Sequence, residues 1–166
     1  MYNARSMPYR LETRCLVPAP LPSVFEFFSD ARSVETLTPP FLHFRMLTPE
    51  VEMRVGAHID YRCRLRGLPL RWQSEITAWE PGIRFRDEQR RGPYRYWRHL
   101  HLFNAEKGGT VVEDAVDYDV TGGRLVHDWI VAPELVRIFR HRQEKIEGIF
   151  GPSPHHGVKI SIQRKL

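Results

Sequence analysis

Apolar positions in this chain follow two spacings, and the point where one gives way to the other sets the architecture. Between residues 57 and 119 they fall mostly on every second residue. In "IDYRCRLRGLPLRW", Ile59, Tyr61, Cys63 and Leu65 share one side while Arg62, Arg64 and Arg66 share the other. That is how a half-buried strand presents a dry and a wet face. "RGLP" turns the chain, after which Leu70, Trp72, Ser74, Ile76 and Ala78 alternate with Arg71, Gln73, Glu75 and Thr77. "EPGI" turns it again before a strand that begins with Ile83 and Phe85. "RRGP" then precedes "YWRHLHLF", and "NAEKGGT" separates that strand from the alternating "TVVEDAVDYDV". Strands joined by short turns containing Gly or Pro predict an antiparallel meander. After "TGG" the spacing becomes three and four: Leu135, Phe139, Arg142, Ile146 and Ile149 or Phe150, with Val136 and Ile138 widening the stripe. This predicts a helix from Pro133 to Phe150, about 27 Å long. Pro133 fits its first turn, or kinks it if helix has begun near Leu125.

Upstream, "PYRLETRCLVPAP" reads as a strand ended by its prolines. "PLPSVFEFFSD" reads as a short helix with Pro22 in its first turn and Val24, Phe25 and Phe28 on one side. Ser29 or Asp30 can cap a second short helix through "ARSVETL", which Pro39 and Pro40 stop. "FLHFRML" is expected as a strand. The order is strand, two short helices, six strands and a long helix. It predicts an α+β fold in which a curved antiparallel sheet of about seven strands is covered by one C-terminal helix. One helix does not fill the concavity of a wide curved sheet, so a hollow between the two is the expected ligand cavity. We read residues 8–151 as a single domain, with 1–7 and 152–166 as flexible tails, although "VKISI" could add a strand.

With 166 residues, 42% hydrophobic and 27% charged, the chain has the balance of an ordinary globular domain. It contains no run of about 18 apolar residues, which excludes stable membrane insertion by a helix. "MYNARSMPYRLETR" lacks the apolar core of a secretory signal, so cytoplasmic placement is expected. Cys15 and Cys63 form no ligand spacing and are expected as reduced thiols. The net charge of +5 invites nucleic acid as a partner. However, the arginines alternate with apolar residues as on the wet face of a sheet, and no nucleic-acid motif accompanies them. Nucleic acid is therefore not expected as a partner. The chain is expected as a monomer or homodimer.

The unusual chemistry lies in "YWRHLHLF". One face carries Trp97, His99, His101 and Phe103; the other carries Tyr96, Arg98, Leu100 and Leu102. Two imidazoles between aromatic residues fit a metal site, a catalytic base, a polar floor in an apolar pocket, or an amphipathic strand with no further role. For a metal, His99 and His101 at i, i+2 can share an ion, yet the sequence shows no third ligand. Neither a metal nor a cofactor is expected. His155 and His156 are assigned no role.

Four segments carry a resemblance to a known family: "PSVFEFFSDARSVETLTPPF", "ITAWEPGIRFRDEQRRGPYRYWRHLHLF", "GGTVVEDAVDYDV" and "RIFRHRQEKI". They span most of residues 10–150, with W-x-H-x-H-x-F followed by G-T-x-x-x-D-x-V-x-Y. The chain resembles the START-like, Bet v 1-like helix-grip superfamily (SRPBCC). It is most similar to small bacterial stand-alone members described as ligand-binding, polyketide cyclase/dehydrase-like or cell-division-inhibitor-like. The resemblance implies a hydrophobic or amphipathic small ligand, such as a lipid, isoprenoid, quinone or polyketide. It does not specify a reaction.

It also implies that the Trp97, His99, His101, Phe103 face looks inward, beside Asp114, Val116 and Tyr118 of the next strand. Tyr61, Trp72 and Phe85 are expected to wall the cavity or to pack directly under the helix. Phe139 should point into the grip. Arg142 is expected to pair with a sheet carboxylate, for which Asp87 is a candidate, or to reach the pocket mouth. His99, His101 and Asp114 are the candidates for acid–base chemistry of a cyclase or dehydratase type. They serve equally as ligand anchors or as a purely structural pair. Three readings follow: a carrier of a hydrophobic molecule, an enzyme of that type, or an interaction module whose cavity is filled by side chains.

Overall fold

The computed structural model describes residues 9–153 and 159–165. The chain begins with β1 (Tyr9–Val17), followed by α1 (Leu21–Ser29) and α2 (Ser33–Leu37). A 3-10 turn at Pro40–Leu42 leads to β2 (Arg45–Met46). The meander continues through β3 (His58–Leu65), β4 (Leu68–Glu80), β5 (Arg84–Arg91), β6 (Tyr96–Glu106) and β7 (Gly109–Asp119). A continuous helical stretch comprises α3 (Gly123–Val126), a π-helical turn (His127–Val131) and α4 (Ala132–Phe150), and β8 (Lys159–Arg164) closes the chain. All eight strands form one antiparallel sheet in the order β2-β3-β4-β5-β6-β7-β1-β8.

The alternation seen in the sequence is the cause of this sheet. Burial along β6 alternates from residue 96 to 103, with Trp97, His99, His101 and Phe103 buried. Between β3 and β4 the turn is two residues long. Arg66 and Gly67 both have positive φ (50° and 83°), as a tight hairpin matched to right-handed strand twist requires. Pairing aligns side chains in rows across the concave face. Leu11, Val116, His99, Asp87 and Ile76 form one row; Thr13, Asp114, His101 and Phe85 form the next.

Three departures from the sequence reading have local causes. "FLHFRML" is a 3-10 turn and a two-residue strand, because Pro39 and Pro40 start a turn that His43 ends in the left-handed region at φ 44°. Arg137 of α4 lies over the Phe41 ring, 3.9 Å from its centroid, and holds that turn against the helix. Second, residues 159–164 are not a loose tail: they pair with β1 from Arg14↔Lys159 to Tyr9↔Arg164, giving eight strands where about seven are expected. Third, of the two starts the sequence leaves open for the long helix the earlier one holds: helix begins at Gly123, and Pro133 stands in the first turn of α4 after a π-helical turn that the sequence does not signal. Proline has no N–H to donate back to the preceding turn, and a locally widened helix accommodates it. The expectations for residues 1–7, His155 and His156 lie outside the described residues.

The core has three parts. Phe25 and Phe28 of α1 pack on Phe85, Phe103, Val112 and Ile146 at one end. Tyr9, Leu11, Trp97, Val116 and Tyr118 pack under Leu135 and Phe139 of α4 at the other. Ala31, Ile59, Tyr61 and Ile76 line the far wall. Between these three lies the region left open by a single helix crossing a bent sheet. Among the described residues no helix is long and apolar enough to cross a membrane.

Candidate functional site

The two histidines of β6 meet a carboxylate from each neighbouring strand. On β7, Asp114 sits directly opposite His101; on β5, Asp87 sits directly opposite His99. Asp114 Oδ1 accepts from His99 Nε2 at 2.8 Å and from Arg142 of α4 at 3.2 Å, and it stands 3.0 Å from His101 Nδ1. Thr13 Oγ1 of β1 donates to its other oxygen at 3.0 Å. Asp87 Oδ2 accepts from His101 Nε2 at 3.2 Å and lies 3.9 Å from His99 Nδ1, beyond hydrogen-bond reach. The two imidazole centroids are 3.8 Å apart. Thus β1, β5, β6, β7 and α4 each contribute to one cluster.

Both nitrogens of His101 lie close to a carboxylate oxygen, Nε2 at 3.2 Å from Asp87 and Nδ1 at 3.0 Å from Asp114, with Arg142 Nη2 also 3.4 Å from Nδ1. Burial alone would lower the His101 pKa, but its hydrogen bonds to Asp114 and Asp87 outweigh burial and raise it. His99 goes the other way: burial and the neighbouring His101 push it below its usual value despite Asp114. Burial would raise both carboxyls. The Arg142 charge and hydrogen bonds from His101 and His99 nevertheless hold Asp114 well below the usual range. Its hydrogen bond with His101 and the charges of both histidines hold Asp87 down as well. The Arg142 charge and the hydrogen bonds from both histidines thus offset the two carboxylates, which makes their burial tolerable.

Beside this cluster lies a cavity of about 220 Å³ between the sheet, α2 and α4. Of the residues singled out in the sequence, Tyr61, Trp72, Phe85, Trp97, His99, His101, Phe139 and Arg142 line it. Asp114 lies behind the histidines, Val116 packs beneath α4, and Phe103 packs beneath α1. Tyr118 does not join the histidine cluster. Its hydroxyl donates at 2.9 Å to Nε2 of His127, whose Nδ1 bonds Asp128 at 2.7 Å, while Tyr9 stacks on the His127 ring at 3.4 Å. This second polar group fastens the π-helical turn to the sheet. Arg142 pairs with Asp114 and not with Asp87. The cavity is not filled by side chains: about 220 Å³ remains between sheet and helix.

Sequence reasoning missed four kinds of lining residue. Asp87, expected only as a candidate partner for Arg142, lines the cavity because it is two residues after Phe85 on β5 and shares its face, which extending the alternation through "RFRDEQ" would show. Cys63 and Ser74 follow from Tyr61 and Trp72 in the same way. Tyr94 gives no such signal: it lies in a loop, where Gln89 Nε2 donates to its carbonyl at 2.7 Å. Ala31, Ser33 and Leu37 of the α2 region form the wall opposite the histidines. Among the described residues, Asp87, His99 and His101 are a set with metal-ligand spacing, so the third ligand missing from the sequence reading is Asp87.

Comparison with known proteins supports the architecture. The structure is similar to that of protein CV1439 from Chromobacterium violaceum, with 13% identity, TM-score 0.69, and 86% of this chain and 97% of that chain covered. It is also similar to ginseng major latex-like protein 151 from Panax ginseng, with 16% identity, TM-score 0.65, and 87% and 99% covered. A nucleoside-diphosphate sugar epimerase from Corynebacterium glutamicum matches at 26% identity and TM-score 0.60. That match covers 81% of this chain but 28% of the epimerase. A comparison with curated proteins gave no match. The profile of the family described as polyketide cyclase / dehydrase and lipid transport matches residues 17–147. That span runs from the end of β1 to the last turn of α4 and takes in the cavity with its histidines, so this chain belongs to the polyketide cyclase / dehydrase and lipid transport family.

Proposed function

We propose that this protein holds a hydrophobic or amphipathic small molecule in the cavity between sheet and α4. The ligand's polar end would rest on Asp87, His99, His101 and Arg142. The single observation that carries this reading is an apolar-walled hollow with one polar corner, the usual form of a site that binds by burial and orients by a few polar groups. Its volume of about 220 Å³ is below the roughly 300–1,000 Å³ of drug-sized sites. A lipid, isoprenoid or polyketide chain therefore needs the α2 wall to shift outward. The family description, which names lipid transport, points the same way. We read the protein as a cytoplasmic carrier, monomeric or homodimeric, a setting suited to the free thiols Cys15 and Cys63.

Native mass spectrometry of gently purified protein, followed by solvent extraction, tests the reading. A small apolar molecule bound one per chain, and lost in Ala31→Leu, is expected because Ala31 lies on the cavity wall. A chain that carries nothing and gains no stability from any lipid, quinone or polyketide would overturn it.

An acid–base role is the second reading, and one observation favours it: His99, whose pKa burial and the neighbouring His101 push down, stands at the cavity wall backed by the Asp114 carboxylate. Turnover of a polyketide-like substrate that is lost in His99→Gln, with binding retained, would establish it. Equal turnover in His99→Gln would remove it.

A further inference from the structure

We propose that Asp87, His99 and His101 form a binding site for a divalent transition-metal ion, with Asp114 as the residue that aims both imidazoles. Their potential ligand atoms all lie within 4.8 Å of one another. Asp87 Oδ2 is 3.2 Å from His101 Nε2 and 3.9 Å from His99 Nδ1. An ion held at about 2.0–2.2 Å by nitrogen and oxygen ligands separates those atoms by about 3–3.5 Å. The set closes on an ion with small side-chain shifts.

The orientation of the rings is the second argument. A ligating histidine normally donates its other ring N–H to a carboxylate or carbonyl, which fixes its tautomer and direction. Here one carboxylate oxygen stands beside both rings: Asp114 Oδ1 bonds His99 Nε2 at 2.8 Å and lies 3.0 Å from His101 Nδ1, which Arg142 Nη2 also approaches at 3.4 Å. The nitrogens left over, His99 Nδ1 and His101 Nε2, both stand on the Asp87 side. A purely structural histidine pair would be satisfied by Asp114 alone. Asp87, whose side chain is 20% exposed, adds a second carboxylate beside those two nitrogens, bonding one at 3.2 Å and standing 3.9 Å from the other, and so supplies the third donor atom an ion would use. When the ion binds, the proton between His101 Nε2 and Asp87 is released to solvent.

Two imidazoles and one carboxylate suit zinc or ferrous iron far better than magnesium or calcium. All three residues line the cavity, so the remaining coordination positions face it. There they would take water or an oxygen of a bound molecule. The site does not depend on the carrier reading, because the ion needs no organic ligand to bind.

The test uses the full chain with His155→Ala and His156→Ala, so that those imidazoles do not compete. After chelator treatment it is titrated with Co²⁺ and Zn²⁺, followed by visible absorption and equilibrium dialysis. One ion per chain is expected. Asp87→Asn and His99→Gln should each weaken binding at least about 100-fold, and Asp114→Asn by about 10–100-fold. Far-UV circular dichroism checks that each variant folds. In the chain without site substitutions, Co²⁺ should broaden the ring-proton NMR signals of His99 and His101, a readout that needs no variant at the site. Absence of stoichiometric binding, affinity unchanged in Asp87→Asn and His99→Gln, or broadening confined to other residues would overturn the proposal.

Discussion

The two faces of β6 carry charge under opposite conditions. On the convex face, Arg98 donates to Glu88 of β5 at 2.9 Å, and Arg86 and Arg90 reach the same carboxylate at 3.4 Å. Those arginine side chains are 34–41% exposed. On the concave face, one residue further along, His99 and its partner Asp114 have side chains 10% and 6% exposed. Both clusters are salt-bridge networks around a shielded carboxylate (the Glu88 side chain is 12% exposed), but the arginine heads that meet Glu88 reach water while His99, His101 and Arg142 around Asp114 do not. Exposed pairs are screened and replaceable, whereas each member of a buried network leaves an uncompensated partner when removed. Number of contacts is therefore a poor guide to their weight here.

Removing single members breaks or sharpens this contrast. Asp114→Asn should have the largest effect, about 3–5 kcal/mol, because Arg142 and both histidines lose their common partner. Urea unfolding monitored by tryptophan fluorescence measures it, and a loss below 1 kcal/mol would mean the inner cluster is wetter than described. Arg142→Met keeps the stem of the side chain and removes one charged hydrogen bond, for about 1.5–3 kcal/mol by the same measurement. Arg98→Gln on the convex face, where the side chain is 35% exposed and Glu88 keeps Arg86 and Arg90, should cost about 1 kcal/mol or less at low salt. Repeating the comparison in 1 M NaCl should shrink the Arg98→Gln difference, since screening there acts over about 3 Å, and leave the Asp114→Asn difference in place. Arg14→Gln, whose side chain is 54% exposed beside Glu106 and Glu113, should change stability least, by roughly 0.2–0.5 kcal/mol.

The same contrast explains what could be read from the sequence. Period-two alternation reports which face of a strand is dry, so β3, β4, β6 and β7 are legible, while the inward direction of His99 and His101 follows from the family resemblance. The helix was legible from Leu135 to Phe150 for the same reason, at its own period. Asp87 is legible only as a candidate partner for Arg142, because a charged residue in "RFRDEQRR" otherwise reads as exterior; the strand pairing places it beside His99. Arg142 meets Asp114 instead, since which of two inner carboxylates faces a helix residue depends on how α4 crosses the sheet. Pairing of the last strand with the first, between residues more than 140 positions apart, has no local signature at all.

That last pairing has a consequence for the sheet as a whole. Strands at the rim of an open sheet offer unpaired backbone groups to any passing chain. Here β8 takes the rim position that β1 would otherwise occupy, and it presents only six residues with Lys159 and Arg164 at its ends. At the opposite rim β2 is two residues long. Neither border offers a long apolar ribbon for another molecule to extend, so self-association of this protein by strand addition is disfavoured at both margins.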